Sequence, residues 1–270
     1  MFEAAELGHE ISKPDYVKQV PAIRAGLLQA QRDLIEARVP LILIVSGADG
    51  AGKSETVNRL HEWFDPRGLE TSVFGPTSDE ERDRPPFWRF WRSLPPRGRV
   101  GIFFGSWYTD PIIRRVYRKS GGSEFDRSLS RIEFFEQELA QDGALIVKLW
   151  LHLSKKDQKK RLAKLEKDPQ TRWRVSPVDW KHYRLYDRFV RFSEQALQRT
   201  DTGTSRTLRR FSRRPVSPCA IAPLVTRTSW RSRTCAMPSI FERCSHVVAS
   251  ALPKAWMMPA LPRNVSQDFE

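Results

Sequence analysis

The sequence predicts an α/β fold in which helices cover both faces of a parallel sheet, a three-layer sandwich. Residues 41–45, LILIV, are apolar throughout, as expected of a strand buried on both faces. A glycine-rich loop and an amphipathic helix follow this strand directly. Further short apolar runs alternate with amphipathic stretches up to about residue 204, a pattern typical of consecutive βαβ units. These three observations carry the prediction.

The remaining elements are predicted from hydrophobic periodicity. Apolar residues at helical spacing indicate a helix from about 15 to 38, another after the glycine loop, and a third that carries Leu129, Ile132, Phe135 and Leu139. The Asp65-Pro66-Arg67-Gly68 turn ends the second of these helices. The expected strands are residues 41–45, 71–74, 100–104 and 144–150.

The glycine-rich loop reads G-A-D-G-A-G-K-S and matches the Walker A pattern G-x-x-x-x-G-K-[ST] at every fixed position. It lies between a strand and a helix, the context that this motif requires, so the fold is expected to be P-loop kinase-like. Backbone N–H groups of the loop would converge on phosphate oxygens, Lys53 would reach the terminal phosphates, and Ser54 would ligate Mg²⁺. The predicted phosphate-binding residues are Gly47, Gly50, Ala51, Gly52, Lys53 and Ser54.

Asp49 is an unusual residue for such a loop, because a carboxylate repels phosphate unless it has a function of its own. Holding a metal ion or orienting a phosphoryl acceptor would be such a function. We therefore expect Asp49 and Lys53 to be the catalytic residues of the loop, and Asp49 and Ser54 to be its metal ligands.

Cations are concentrated between residues 155 and 180, where we predict a helical basic lid. Seven Lys or Arg side chains crowd one predicted helix there, Arg161 among them, and Arg172 and Arg174 follow. A polyanion would suit these residues, although a solvated helix face explains the same charge pattern. Binding of long polyphosphate to such a cluster should weaken steeply with salt.

Several segments resemble the polyphosphate kinase 2 family, whose phosphate loop reads G-x-D-x-x-G-K. The resemblance covers residues 15 to 204 and is closest to the N-terminal half of the two-domain polyphosphate:AMP phosphotransferases. Besides the loop, it rests on D-P-R-G at 65–68, E-E-R-D-R-P-P-F-W-R-F-W at 80–91, S-W-Y at 106–108, K-L-W-L-H-L-S-K at 148–155 and W-R-V-S-P-V-D-W at 173–180.

The resemblance implies phosphoryl transfer between inorganic polyphosphate and a nucleoside mono- or diphosphate, assisted by Mg²⁺ and a mobile basic lid. Homo-oligomerisation is left open. The residues expected to bind the acceptor or polyphosphate are Arg84, Arg89, Lys148, Arg161, Arg172 and Arg174.

The chain departs from the family at the end of the third predicted strand. Active members carry Asp-Arg before S-W-Y, whereas this chain carries Phe104 and Gly105, and Thr109 and Asp110 stand where an arginine is expected. The loss of a metal-organising carboxylate should cost several kcal/mol of transition-state stabilisation. A binding domain that supports a separate catalytic domain is therefore an alternative to an active phosphotransferase, and an ATP-dependent small-molecule kinase is a third interpretation.

The composition changes after residue 204. Residues 205–270 hold 11 Lys or Arg against 3 Asp or Glu, and so carry most of the net charge of +14. The same stretch contains Cys219, Cys235 and Cys244, the three cysteines of the chain, and no periodicity. The pattern indicates an irregular C-terminal tail, either a basic arm for nucleic acid or, as we favour, an out-of-frame translation. An unstructured tail would leave the last strand of the sheet without a neighbour.

The expected organisation is a helical segment at 1–40, the phosphotransferase domain at 41–204 and the tail at 205–270. No signal peptide, membrane-spanning run or paired cysteine motif is apparent. These features predict a cytoplasmic protein without a membrane partner, and nucleic acid is not the expected partner of its folded part.

Overall fold

The computed structural model describes Phe2, residues 12–201 and the backbone of residues 205–212. The helices are α1 (Lys13–Ala37), α2 (Lys53–Trp63), α3 (Asp79–Arg82), α4 (Trp88–Trp91), α5 (Thr109–Val116), α6 (Gly122–Gln141), α7 (Lys155–Lys167), α8 (Pro177–Arg184) and α9 (Tyr186–Thr200). The strands are β1 (Leu41–Gly47), β2 (Leu69–Val73), β3 (Val100–Phe104), β4 (Leu145–Leu153) and β5 (Ser205–Ser212).

The strands form one parallel sheet in the order β2-β3-β1-β4-β5. β1 lies at its centre, and Val45 near its carboxyl end pairs with Phe104 of β3 and Leu149 of β4. The predicted parallel sheet is thus confirmed. Because the carboxyl ends of all strands lie at one edge, the glycine loop opens into the crevice where open α/β folds bind ligands.

Two hydrophobic cores, one on each face of the sheet, confirm the three-layer arrangement. Alternate residues of β1 point to opposite faces: Leu43 packs with α1 and α2, whereas Ile44 packs with α5, α6 and α9. Nearly all of β4 is buried as well. Apart from Lys148 and His152 in β4, the central strands are therefore largely apolar, as expected of a parallel sheet that is covered on both faces.

The sheet continues past residue 204. Backbone pairing of Ser205–Ser212 with β4, in register from Ile146 to Leu153, provides the neighbour that an unstructured tail would have denied to β4. The exposed β4 edge that would follow from a missing last strand is therefore not present. The rest of the expected tail, from residue 213, lies outside the described residues, as do residues 1, 3–11 and 202–204.

The lid region consists of α7, a short 3₁₀ turn at Arg172–Arg174, and α8. Ser154 caps the start of α7 by accepting a hydrogen bond from the backbone N–H of Asp157. Ser176 and Asp179 form a reciprocal capping box at the start of α8, with Pro177 at the first helical position. These caps explain why helices begin at both points despite the high density of positive charge.

Within the part of the chain that the structure describes, no helix is both long enough and apolar enough to cross a bilayer.

Candidate phosphate-binding site

The glycine loop turns tightly between β1 and α2, and its glycines are required by its geometry. Gly47 has φ of +135°, and a Cβ there would lie 1.9 Å from the carbonyl oxygen of Leu151 on the neighbouring strand. Gly52 has φ of +86° and is the N-cap of α2. Since left-handed backbone is accessible chiefly to glycine, these positions fix the loop so that the amino end of α2 faces the crevice.

Lys53 begins α2 and folds back over the loop. Its ammonium donates to the carbonyl oxygens of Gly47 (2.9 Å) and Ala48 (3.1 Å) and to Oδ1 of Asp49 (3.3 Å). These three contacts match the three donors of a lysine ammonium. A bound phosphate oxygen would replace the two carbonyl oxygens as the acceptor of the Lys53 ammonium, and the positive charge of Lys53 would attract it.

Asp49 connects the loop to the lid, because its Oδ2 lies 2.6 Å from Nδ1 of His182 on α8. Burial by itself raises the pKa of Asp49, but the hydrogen bond from His182 and the charge of Lys53 outweigh it and lower the pKa to about 2. Asp49 is therefore ionised at neutral pH, and Nδ1 of His182 must be the donor. His182 was missed in the sequence, where nothing relates it to a residue 133 positions earlier.

Helix α7 packs on the same loop. The Gln158 side chain donates to the carbonyl oxygen of Asp49 at 3.0 Å. The Arg161 side chain passes over Gly50, where a Cβ would lie 3.5 Å from Arg161 Cγ. Burial lowers the pKa of Arg161, and the nearby charge of Arg174 lowers it further while Glu55 opposes the change. Of the predicted lid cations, Arg161 thus lies against the loop and Arg174 lies within electrostatic reach of Arg161, so a bound anion would relieve their mutual repulsion.

A cavity of about 390 Å³ opens between the loop and helices α5 and α9. Its polar lining includes Asp49, Lys53 and His182, and the remaining lining is largely apolar. The apolar residues include Phe74, Phe104, Ile112, Trp150, Phe189 and Val190. The cavity therefore offers a charged end at the loop and an apolar body.

Phe104 and Gly105 line this cavity, at the position where active members of the resembled family carry Asp-Arg. Gly105 has φ of +81°, and a Cβ there would lie 2.9 Å from the carbonyl oxygen of Phe74. A side chain at position 105 would thus require the backbone to shift. Phe104 thus presents an aromatic ring to the cavity at the position of that aspartate.

The two predicted acceptor arginines are held at the rim. Arg84 is exposed, lies 3.5 Å from Glu80 and stacks on Trp88. Arg89 lies 3.3 Å from Glu81 and donates to the carbonyl oxygen of Gly75 at 3.0 Å. Gly75 is part of the cavity wall, so Arg89 supports the wall, and neither guanidinium is among the described groups that line the cavity.

Lys148 cannot bind polyphosphate as predicted, because it lies in the protein interior. Its ammonium is 2.8 Å from Oε2 of Glu136, and each of the two side chains is 2% exposed. It also donates to the carbonyl oxygen of Thr200 at 2.7 Å. The charge is neutralised within the fold and does not reach the crevice.

The donors available for a metal ion are few. Among the residues that the structure describes, no group of three or more His, Cys, Asp or Glu side chains could enclose a metal ion. Mg²⁺ commonly takes one or two carboxylates together with water and substrate phosphates. Asp49 with Ser54, which is exposed at the first turn of α2, fits a magnesium ion carried by phosphate, once Lys53 or His182 releases an Asp49 oxygen.

Comparison with known proteins agrees with this geometry. A family model for polyphosphate kinase 2 matches residues 10–206. The polyphosphate:AMP phosphotransferase of Pseudomonas aeruginosa is 51% identical over 201 residues, which are 74% of this chain and 40% of that protein. Its counterpart from Pseudomonas syringae is 48% identical, with the same coverage. The crystal structure of polyphosphate kinase 2 from Arthrobacter aurescens TC1 superposes with a TM-score of 0.72 at 25% identity, covering 95% of this chain and 86% of that one.

The chain therefore spans about two fifths of the length of the two Pseudomonas relatives that it matches. The matched region contains the glycine loop and the lid region.

Proposed function

We propose that this chain, which belongs to the polyphosphate kinase 2 family, binds inorganic polyphosphate at the Gly47–Ser54 loop. Its function is the transfer of the terminal phosphoryl group of polyphosphate to AMP or ADP. The observation that carries the proposal is the loop itself, held at the carboxyl end of β1 with Lys53 and Asp49 beside a cavity. The names of the relatives support the same substrate class.

The roles follow from the contacts. Loop N–H groups and Lys53 would hold the phosphates nearest the reacting bond, and Arg161 and Arg174 would bind the adjacent part of the chain. When bound, Mg²⁺ would neutralise charge on the transferred group, with Asp49 and Ser54 as its protein ligands. Transfer breaks the bridging P–O bond of the terminal phosphate and forms a bond to a phosphate oxygen of AMP, which yields ADP and a shortened polyphosphate.

A second candidate function is binding without turnover, and Phe104 favours it. Among the described residues that line the cavity, Asp49 is the only carboxylate, and the aromatic ring occupies the position of a second. The domain would then hold polyphosphate for a catalytic domain elsewhere. Arg84, Arg89 and Arg172 remain predictions for the acceptor or polyphosphate site in either case.

Two measurements separate these functions. Luciferase detection of ATP formed from ADP with polyphosphate and Mg²⁺ tests transfer against a Lys53→Ala control, and ADP formed from AMP is detected after a coupling kinase has converted it to ATP. Calorimetric titration with tripolyphosphate tests binding with the same control. Product above the control establishes transfer, whereas binding without product establishes the second function. Absence of any heat with tripolyphosphate at low salt contradicts both.

A further inference from the structure

Five cations lie near the carboxyl end of α5, where Lys181 and Arg184 of α8 are within reach of Tyr117 and Arg188 of α9 is within reach of Arg115 and Arg118. We refer to them as the Tyr117 cluster: Arg115, Arg118, Lys181, Arg184 and Arg188. None belongs to the glycine loop or to the basic helix α7, and none was singled out in the sequence.

Direct contacts hold part of this cluster together. Arg188 donates to the carbonyl oxygen of Arg115 at 3.1 Å, and Arg115 donates to the carbonyl oxygen of Ser120 at 3.2 Å. The Lys181 ammonium lies 4.9 Å from the centre of the Tyr117 ring. Arg115 and Arg188 thus donate hydrogen bonds to backbone carbonyl oxygens, which carry no full negative charge to neutralise the two guanidinium groups.

In the part of the chain that the structure describes, no carboxylate oxygen lies within 4 Å of a charged nitrogen of the Tyr117 cluster. The nearby acids are used elsewhere, since Glu124 pairs with Arg114 at 2.7 Å and Asp187 pairs with Lys155 at 2.6 Å. Burial lowers the pKa of Arg188, and the charges of Arg118 and Arg115 lower it further. Like charges gathered without counter-charges destabilise a fold unless an anion binds among them.

The cluster is continuous with the phosphate-binding loop. The Tyr117 ring lies edge-on to His182, with ring centres 5.9 Å apart, and His182 contacts Asp49 at 2.6 Å. Burial raises the pKa of Tyr117, the charge of Asp49 adds to the rise, and Arg184 opposes it. The Tyr117 hydroxyl is thus within electrostatic reach of both the loop and the cluster.

We propose that the Tyr117 cluster is a second anion subsite that holds inorganic polyphosphate beyond the phosphates bound at the glycine loop. This inference rests on the proposed function, because both concern the binding of the same polyphosphate chain. A linear polyanion fits because the cations come from three helices and one end of the set adjoins the loop. Chains too short to leave the loop would not contact the cluster.

The test is the dependence of affinity on chain length. Arg118→Gln/Arg184→Gln removes two exposed members that make no hydrogen bond through their side chains among the described residues, so the fold should be retained. Lys18→Gln/Arg24→Gln is the matched control, since it removes the same charge from α1 on the other face of the sheet. Tripolyphosphate and long-chain polyphosphate are titrated into the full chain at several salt concentrations.

For Arg118→Gln/Arg184→Gln, the cluster variant, we expect the affinity for long-chain polyphosphate to fall about tenfold. The magnitude of the slope of log K against log salt should fall by about 1.4, because each cation contributes about 0.7 with single-stranded nucleic acids. Tripolyphosphate affinity should stay within about twofold, and the control should lose little of either affinity. Equal weakening in the cluster variant and the control would overturn the subsite, as would an unchanged preference for the long chain.

Two further arms separate the possible failures. If wild-type protein binds no tripolyphosphate, the proposed function fails, and this arm does not involve the cluster. If tripolyphosphate binds through Lys53 but chain length has no effect, only the subsite fails. A single-stranded oligonucleotide of matched charge that displaces long polyphosphate with equal affinity would overturn the assignment to polyphosphate in favour of nucleic acid.

Discussion

The buried ion pair between Glu136 and Lys148 allows a stability prediction worked from the structure. The two side chains are 2% exposed and their charged atoms are 2.8 Å apart. The other carboxylate oxygen of Glu136 accepts hydrogen bonds from the Tyr108 hydroxyl (2.5 Å) and the Trp107 indole (3.0 Å). Burial lowers the pKa of Lys148, and the charge of Glu136 opposes that change. The pair therefore joins α6, β4 and the segment after β3.

Lys148→Met should lower the free energy of unfolding by about 3–5 kcal/mol, because it leaves the Glu136 charge buried with neutral donors alone. The double variant Glu136→Gln/Lys148→Met buries no charge, and the amide oxygen of the substituted side chain can still accept from Trp107 and Tyr108. It should recover at least half of that loss. Exposed Lys167→Met is the control and should change stability by less than about 0.5 kcal/mol.

Urea unfolding of the full chain, with equal m-values for all variants, gives these energies. A loss below about 1 kcal/mol for Lys148→Met would refute the reasoning, since it would mean that water or another cation reaches Glu136. The double variant also tests the role of Lys148. It should bind tripolyphosphate with the affinity of the wild type, and a tenfold loss of that affinity would show that Lys148 contributes to polyphosphate binding.

Three further predictions concern the site and its surroundings. His182→Ala removes the side-chain link between α8 and Asp49, so amide hydrogen exchange in α8 should accelerate while the exchange of β1 is unchanged; equal exchange in both proteins would contradict the link. Phe104→Asp supplies a second carboxylate at the cavity, so phosphoryl transfer measured with luciferase should rise above that of Phe104→Asn, and equal rates would show that the carboxylate alone is not limiting. Burial lowers the pKa of His152 to about 4, while Glu194 opposes the shift. The unfolded chain therefore takes up a proton at this histidine at a higher pH than the folded chain does. The contribution of His152 to the free energy of unfolding should decline by about 3 kcal/mol as pH falls from about 6.5 to about 4. Urea unfolding should show a shallower decline for His152→Gln, and identical pH profiles would refute the assignment.

Hydrophobic periodicity predicted the elements around the site because each depends on local spacing. The apolar run at 41–45 and the full Walker A pattern identified β1, the loop and α2 without any long-range information. The predicted strand at 71–74 begins two residues late, since β2 spans Leu69–Val73 and follows the Asp65 turn directly. Such shifts are expected where strand ends are set by pairing with a neighbour.

The error at Lys148 has a physical cause that the sequence partly revealed. A lysine within LIVKLWLHL belongs to a strand buried on both faces, so its charge required an internal partner. Glu136 lies on the apolar stripe of α6 with Ile132 and Leu139, at helical spacing. Two opposite charges, each within an apolar pattern, indicate a buried ion pair, and this pairing excludes Lys148 from the anion site.

The contact between Asp49 and His182 could not be predicted in this way, because it depends on how α8 packs on the loop. Its consequence bears on both proposed functions. Asp49 is held by Lys53 on one oxygen and by His182 on the other, so a ligand that draws either partner away changes the contacts of Asp49. Movement of Lys53 toward phosphate would release Oδ1 for the metal while leaving α8 attached to the loop. Under the proposed function, phosphate binding and metal binding would then be coupled through the side chain of Asp49.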